Sequence, residues 1–306
     1  MNALSLFDGI SCGMLAMKRA GIEVESYTAY EIEQSAITAS KTNFPQIEHK
    51  GNVIGADFKN YRGIDLLMGG SPCQGFSSSG KQLNFNDPRS KLFFEFVRAL
   101  EESKPKFFLL ENVKMRKEWQ DIITSYVGVE PILINSSTVS AQNRERLYWT
   151  NIPEVKQPED RGITLQDILE DVEMTNPAAI RGRRLNKGTI VGRRIGADGT
   201  RKDNDKTIPI SQCLEVRGIN MDKSNCITTV DKDNVLTILP PGRYPDAFKN
   251  KLPFRYYTTK EYCRLQTLPD DFLNMIPESK ARKAIGNGWT VDVIAHILSF
   301  AKEVTE

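Results

Sequence analysis

At 306 residues the chain can bury one large core, or a core plus a smaller satellite domain. Hydrophobic residues make up 40% and charged residues 26%, which fits a globular protein, and no apolar run approaches the roughly 20 residues of a membrane span. The five cysteines (Cys12, Cys73, Cys213, Cys226, Cys263) are scattered without a CxxC pair, and only His49 and His296 could join them, so no disulfide framework and no metal site are expected. The start, Met1-Asn2-Ala3-Leu4-Ser5-Leu6-Phe7, lacks a basic leader and reads as a buried strand, so a cytoplasmic protein that folds from its first residue is expected. The net charge of +2 is unevenly spread: nine Lys/Arg stand against three Asp/Glu between Arg181 and Lys206, leaving the remainder at −4. Such a segment is either a surface facing a polyanion or a solvated basic loop.

In chain order, strands are predicted at Ala3–Phe7, Ser26–Tyr30, Asp65–Gly69, Phe107–Glu111, Ile132–Asn135 and Leu147–Thr150. Between them lie helical patterns, with apolar residues at 14, 15, 17 and 20 and again at 92, 93, 96, 97 and 100. This alternation predicts a doubly wound, mostly parallel α/β sheet. Near Asn176-Pro177 the pattern breaks, and to about Pro253 the chain is rich in Gly, Arg, Asp and Asn, with short β-like runs at Cys226–Val230 and Val235–Leu239. A smaller, β- and loop-rich domain is expected over residues 176–253. Helical periodicity resumes at Thr258, and the last helix should pack back onto the first domain, so residues 1–175 and 254–306 form one unit.

Leu6-Phe7-Asp8-Gly9-Ile10-Ser11-Cys12-Gly13 is a strand running through a tight turn into a helix. Gly9 permits the turn, and Gly13 lets a ligand approach the backbone. The GxGxxG spacing of a dinucleotide fold is absent, and Phe7 suits stacking on an adenine. Glu31, at the end of the second strand, is placed to accept from two ribose hydroxyls. A generic α/β nucleoside site would show the same pair.

Asp65-Leu66-Leu67-Met68-Gly69-Gly70-Ser71-Pro72-Cys73-Gln74-Gly75 is a buried strand ending in a constrained loop that presents one cysteine. A lone cysteine is commonly a small buried hydrophobe. The Pro-Cys-Gln-Gly context favours a nucleophile, provided that nearby positive charge lowers its pKa. Phe107-Phe108-Leu109-Leu110-Glu111 drives a strand into the core and ends on a carboxylate at the same sheet edge: a surface charge or cap, or a proton donor to a ring nitrogen. In Gln142-Asn143-Arg144-Glu145-Arg146, period two puts Gln142, Arg144 and Arg146 on one face. The two guanidiniums could bind base oxygens or phosphate and stabilise the Cys73 thiolate, or line an edge strand.

In this order, the segments closely resemble the DNA cytosine-5 methyltransferase family. The Phe7 turn, Pro72-Cys73, Glu111-Asn112-Val113, Gln142-x-Arg144-x-Arg146, Thr258-x-x-Glu261-x-x-Arg264 and Gly286-Asn287-Gly288 carry the likeness. The resemblance implies an S-adenosylmethionine-dependent, Rossmann-like catalytic domain, with residues 176–253 as a variable target-recognition domain. It implies Cys73 adding to cytosine C6, Glu111 on N3, and Arg144 and Arg146 on base and backbone, the base being flipped out of the duplex. For S-adenosylmethionine it implies Phe7 on the adenine, Glu31 on the ribose, backbone at Gly9, Ile10 and Gly13, and Leu92 and Asn287 completing the pocket. Ser11 replaces a family glycine, Ile32 stands where many members carry Trp, and Asn52 stands where an Asp usually meets the adenine amine. Gln142, Arg181, Arg183, Arg184, Arg193 and Arg194 are the expected contacts to double-stranded DNA. A cognate restriction endonuclease is a possible partner; neither a metal nor a membrane is expected. The alternatives are an RNA cytosine-5 methyltransferase and a non-catalytic DNA-binding relative.

Overall fold

The computed structural model describes residues 1–71, 91–170, 185–217 and 223–303. Cys73, Arg181, Arg183 and Arg184 lie outside the described residues.

The first sheet has seven strands: β1 (Asn2–Leu6), β2 (Ser26–Tyr30), β3 (Glu48–His49), β4 (Leu66–Gly69), β5 (Phe107–Val113), β6 (Ile132–Asn135) and β7 (Glu145–Thr150). Their order is β3-β2-β1-β4-β5-β7-β6, and β7 runs antiparallel to both its neighbours while the other pairings are parallel. The apolar runs predict all of these strands except the two-residue β3, because a sheet covered on both faces needs side chains that tolerate burial in either direction. β4 is buried throughout, and so are the first four residues of β5.

Helices α1 (Cys12–Arg19) and α2 (Gln34–Asn43) follow β1 and β2; α3 (Lys91–Ser103) and α4 (Lys117–Val127) flank β5. Short α5 (Leu165–Ile168) ends the described part of this half. Phe93, Phe96 and Val97 of α3 join Ile123 of α4 in a core on one face of the sheet. Helices α6 (Thr259–Leu265), α7 (Glu278–Asn287) and α8 (Val291–Glu303) contribute to the core on the other face, where α8 packs along α1. Helices on both faces make this the expected doubly wound α/β fold.

A second, five-stranded antiparallel sheet is built from β8 (Asn186–Arg193), β9 (Ser211–Val216), β10 (Val235–Thr237), β11 (Gly242–Tyr244) and β12 (Phe254–Tyr256), in the order β11-β9-β8-β10-β12. Ile190, Leu214, Val216, Val235 and Ala247 form its own small core. β12 pairs with β10, so the small sheet reaches past residue 253.

The strand expected at Cys226–Val230 does not form. Ile227 N–H donates to Gln142 Oε1 at 3.3 Å, its carbonyl accepts from Arg144 at 3.0 Å, and the Cys226 carbonyl accepts from Asn234 at 3.2 Å. Side chains therefore take the backbone groups that a ladder would have used.

Candidate active site at the carboxyl edge of the sheet

Leu6, Tyr30, Gly69 and Leu110 lie at one level across β2, β1, β4 and β5, at the carboxyl ends of parallel strands. The next residues are Phe7, Glu31 and Gly70, where β1, β2 and β4 have ended, and Glu111, where β5 runs on against β7 alone. In an open α/β sheet this edge is where ligands bind. A cavity of about 360 Å³ opens at it, and all four residues line it.

The turn after β1 is conformationally unusual. Phe7, Gly9 and Ser11 all have positive φ, at 57°, 59° and 60°. For a bulky residue such as Phe7 the left-handed region is costly, and strain of this kind concentrates at ligand sites. Beneath it Asp8 is buried, accepting from Tyr27 Oη at 2.6 Å and from Ser11 Oγ. Burial raises its pKa to about 6, against the opposing pull of these hydroxyl donors.

The Glu31 carboxylate accepts from Gly9 N–H on one oxygen and from Ile32 and Glu33 N–H on the other, each at 2.8 Å. Its position is therefore set by backbone donors from both strand ends, with lone pairs left over for hydroxyl groups. Val53 and Leu92 line the same cavity, with exposed Ile32 among its lining residues, and Asn287 lies on its α7 side. Asn52 Oδ1 already accepts from Ile54 N–H at 3.0 Å, leaving one lone pair and the amide hydrogens.

Two expected backbone contacts are placed differently. Gly13 does not line the cavity: a Cβ there would sit 2.8 Å from Tyr27 Oη and 2.9 Å from Met68 Cε. Its missing side chain lets α1 lie close on the sheet. Ile10 likewise turns its side chain into the core.

On the other side of the cavity, Glu111 Oε1 lies 3.0 Å from Arg146 Nε, and its Oε2 accepts from Trp289 Nε1 at 3.2 Å. Burial pushes the Arg146 pKa down, but Glu111, Cys226 and Tyr148 together outweigh it and the net shift is upward. Arg144 is 3% exposed and donates to the carbonyls of Ile227 at 3.0 Å, Gly286 at 3.2 Å and Gly288 at 2.9 Å. It ties β7 to the small-sheet segment and to the loop before α8. Burial and the neighbouring Arg146 both lower its pKa. Asn112, beside Glu111, donates to Ser71 Oγ at 3.4 Å and so links β5 to the chain just after β4.

Burial pushes the thiols of Cys12 and Cys263 up to about 12 and raises that of Cys213 as well, so these three stay protonated and unreactive near neutral pH. Among the described residues no group of His, Cys, Asp and Glu could hold a metal ion, and no helix is long and apolar enough to cross a membrane. A larger hollow of about 650 Å³ between α1 and α8 shares no lining residue with the site, and two of its arginines, Arg19 and Arg161, are both paired with Asp292.

The expected DNA contacts differ most from expectation. Gln142 is fully buried and donates to Gln266 Oε1 at 2.9 Å and to the Leu265 carbonyl, so it cannot reach a groove. Arg193 is paired with Glu215 at 2.8 Å, and Arg194 donates to the Ile208 carbonyl at 2.6 Å. Both brace the β8–β9 hairpin. Exposed guanidiniums on this sheet belong instead to Arg217 and Arg243, which lie 3.9 and 3.8 Å from the same Glu215. Trp289, which also lines the cavity, directly follows the Gly286-Asn287-Gly288 motif, the one local signal that marks it; Cys226 Sγ lies behind, 3.4 Å from Arg144 and 3.8 Å from Arg146.

The family profile described as C-5 cytosine-specific DNA methylase matches residues 1–303. The chain belongs to this family. It is 31% identical over 324 residues to the type II methyltransferase M1.ScrFI of Lactococcus lactis subsp. cremoris, covering 99% of this chain and 78% of that one. The type II methyltransferase M.Eco47II of Escherichia coli is 29% identical, with 98% and 77% covered. Among solved structures, the Entamoeba histolytica methyltransferase EhMeth superposes with a TM-score of 0.70 at 18% identity, and the S. pombe Dnmt2 methyltransferase with 0.67 at 17%; each covers 100% of this chain and 99% of the other. In this DNA (cytosine-5-)-methyltransferase, the cavity and the Glu111–Arg146 pair therefore sit at the ligand-binding edge of a methyltransferase fold.

Proposed function

We propose that this enzyme transfers the methyl group of S-adenosylmethionine to C5 of a cytosine flipped out of double-stranded DNA, using Cys73 as the nucleophile on C6. The observation that carries the reading is Glu111. It is a carboxylate on β5, lining the same cavity as Phe7 and Glu31 and bracketed by Arg146 and Trp289. Residues 1–175 together with the chain beyond β12 act as the catalytic unit, and the small sheet recognises the target. The name type II methyltransferase in the relatives supports a cognate restriction endonuclease as partner.

The residues present suit the cofactor: an aromatic wall at Phe7, an anchored carboxylate at Glu31 for hydroxyl groups, and an amide at Asn52. When bound, S-adenosylmethionine supplies an electrophilic methyl group. On the protein side, the Cys73 thiolate forms a bond to C6 while the C5–C6 π electrons shift into the ring. Glu111 supplies a proton to N3, which offsets the charge that develops there and leaves C5 nucleophilic. After methylation a solvent base takes the C5 proton, the N3 proton returns to the Glu111 carboxylate, and expulsion of the Cys73 thiolate restores the C5–C6 double bond. Arg146 anchors Glu111 until the base arrives, and Arg144 holds the loops around it.

A duplex pool with 5-fluorocytosine in place of cytosine tests the assignment, because fluorine takes the place of the proton that must leave. Wild-type enzyme with S-adenosylmethionine should form a protein–DNA adduct stable to denaturant, and Cys73→Ser should form none. Failure of the wild type to form an adduct on a pool whose cytosine counterpart it methylates would overturn the role of Cys73.

A further inference from the structure

Glu111 is held from two directions by donors of different kinds. Arg146, charged, meets Oε1 at 3.0 Å; the indole N–H of Trp289, neutral, meets Oε2 at 3.2 Å. The backbone that carries the indole is fixed from behind. The Gly288 carbonyl accepts from Arg144 at 2.9 Å and from the buried Gln266 amide at 3.0 Å. In front, Gly70 makes the room: a Cβ there would lie 2.9 Å from Trp289 Nε1 and 3.0 Å from Glu111 Oε2. Indole, carboxylate and glycine backbone thus converge at the residue before Ser71.

We infer that Trp289 is a positioning residue that fixes the plane of the Glu111 carboxyl group. The inference rests on the reading of Glu111 as the proton donor to cytosine N3. With the Trp289 N–H on Oε2 and Arg146 on Oε1, the carboxyl group is held at both oxygens, and loss of the indole contact leaves its plane free to rotate about the bond to Cγ. The geometry therefore gives the two donors separate tasks, anchoring by Arg146 and orientation by Trp289.

Trp289→Phe keeps an aromatic ring and removes the donor. Single-turnover methylation of a duplex that the wild type modifies, at saturating S-adenosylmethionine, is measured for wild type, Trp289→Phe, Glu111→Ala and the double variant, alongside the cofactor Kd. Trp289→Phe should slow the step by about 10-fold, the scale of one hydrogen bond to a charged or reacting group. Its cofactor Kd should stay within about two-fold, and the loss should vanish in the Glu111→Ala background, where there is no carboxyl group to orient. Equal slowing in both backgrounds, no slowing, or a loss matched by weaker cofactor binding overturns the inference. Glu111→Ala within a few-fold of the wild-type rate overturns the underlying role of Glu111 instead.

Discussion

Arg146 Nε and Glu111 Oε1 lie 3.0 Å apart across two antiparallel strands. β5 and β7 pair Glu111 with Tyr148 and Val113 with Arg146, so Glu111 and Arg146 are diagonal neighbours on one face. The register of two strands thus delivers an acid and a base to the cavity with no loop in between. Their side chains are 12% and 14% exposed, too dry for water to replace either partner without cost.

Arg146→Ala should therefore slow single-turnover methylation by roughly 100-fold or more, the scale of positioned acid–base catalysis. Arg146→Lys should recover little, because an ammonium cannot reproduce the planar fork. A rate for Arg146→Ala within a few-fold of wild type would contradict the pairing's role.

Asp8 makes stability depend on pH. Its carboxyl pKa is about 6 in the fold against 3.8 in the unfolded chain, so between these values the native state holds a proton that the unfolded state has lost. The stability linked to Asp8 is complete below about pH 4 and falls as pH rises through 6. Asp8→Asn removes this slope. Denaturant unfolding of the two proteins from pH 4 to 7 should show the variant gaining about 3 kcal/mol relative to wild type. Parallel pH profiles would refute the assignment.

Glu261 is fully buried on α6 and meets Arg255 through two hydrogen bonds of 2.7 Å. It also accepts from the N–H groups of Thr258 and Glu170 at 2.8 Å, joining β12, α6 and the chain after α5. Glu261→Gln leaves the Arg255 charge buried without its counterion, and should lower unfolding free energy by about 3–5 kcal/mol. The check is chemical denaturation; a loss under 1 kcal/mol would show that the pair does not hold these elements together.

On the small sheet, the buried and exposed arginines should separate. Arg217→Ala with Arg243→Ala should flatten the log–log salt dependence of DNA affinity by up to about two units, since each phosphate contact contributes about 0.9. Arg193→Ala should leave that slope unchanged and lower stability instead, because it removes the 2.8 Å partner of the largely buried Glu215. A flattened slope from Arg193→Ala alone would reverse this assignment.

The strands of the catalytic sheet were legible because hydrophobic runs and turn residues are local, and a strand covered on both faces carries its own pattern. The same holds for Glu111: four apolar residues followed by a carboxylate specify an edge. Family motifs in order then identified the chemistry. Gln142, Arg193 and Arg194 were not legible, because a polar side chain's exposure is decided by its partners. Those partners sit at Leu265–Gln266, Glu215 and Ile208, and nothing local marks the approach. Nor does anything local show that Gly13 lets α1 lie against Met68 and Tyr27. Trp289 meets Glu111 across 178 positions of sequence. Periodicity determined which elements form and which sheet edge holds the carboxylates, whereas close packing between distant segments decided which polar groups are left free to act.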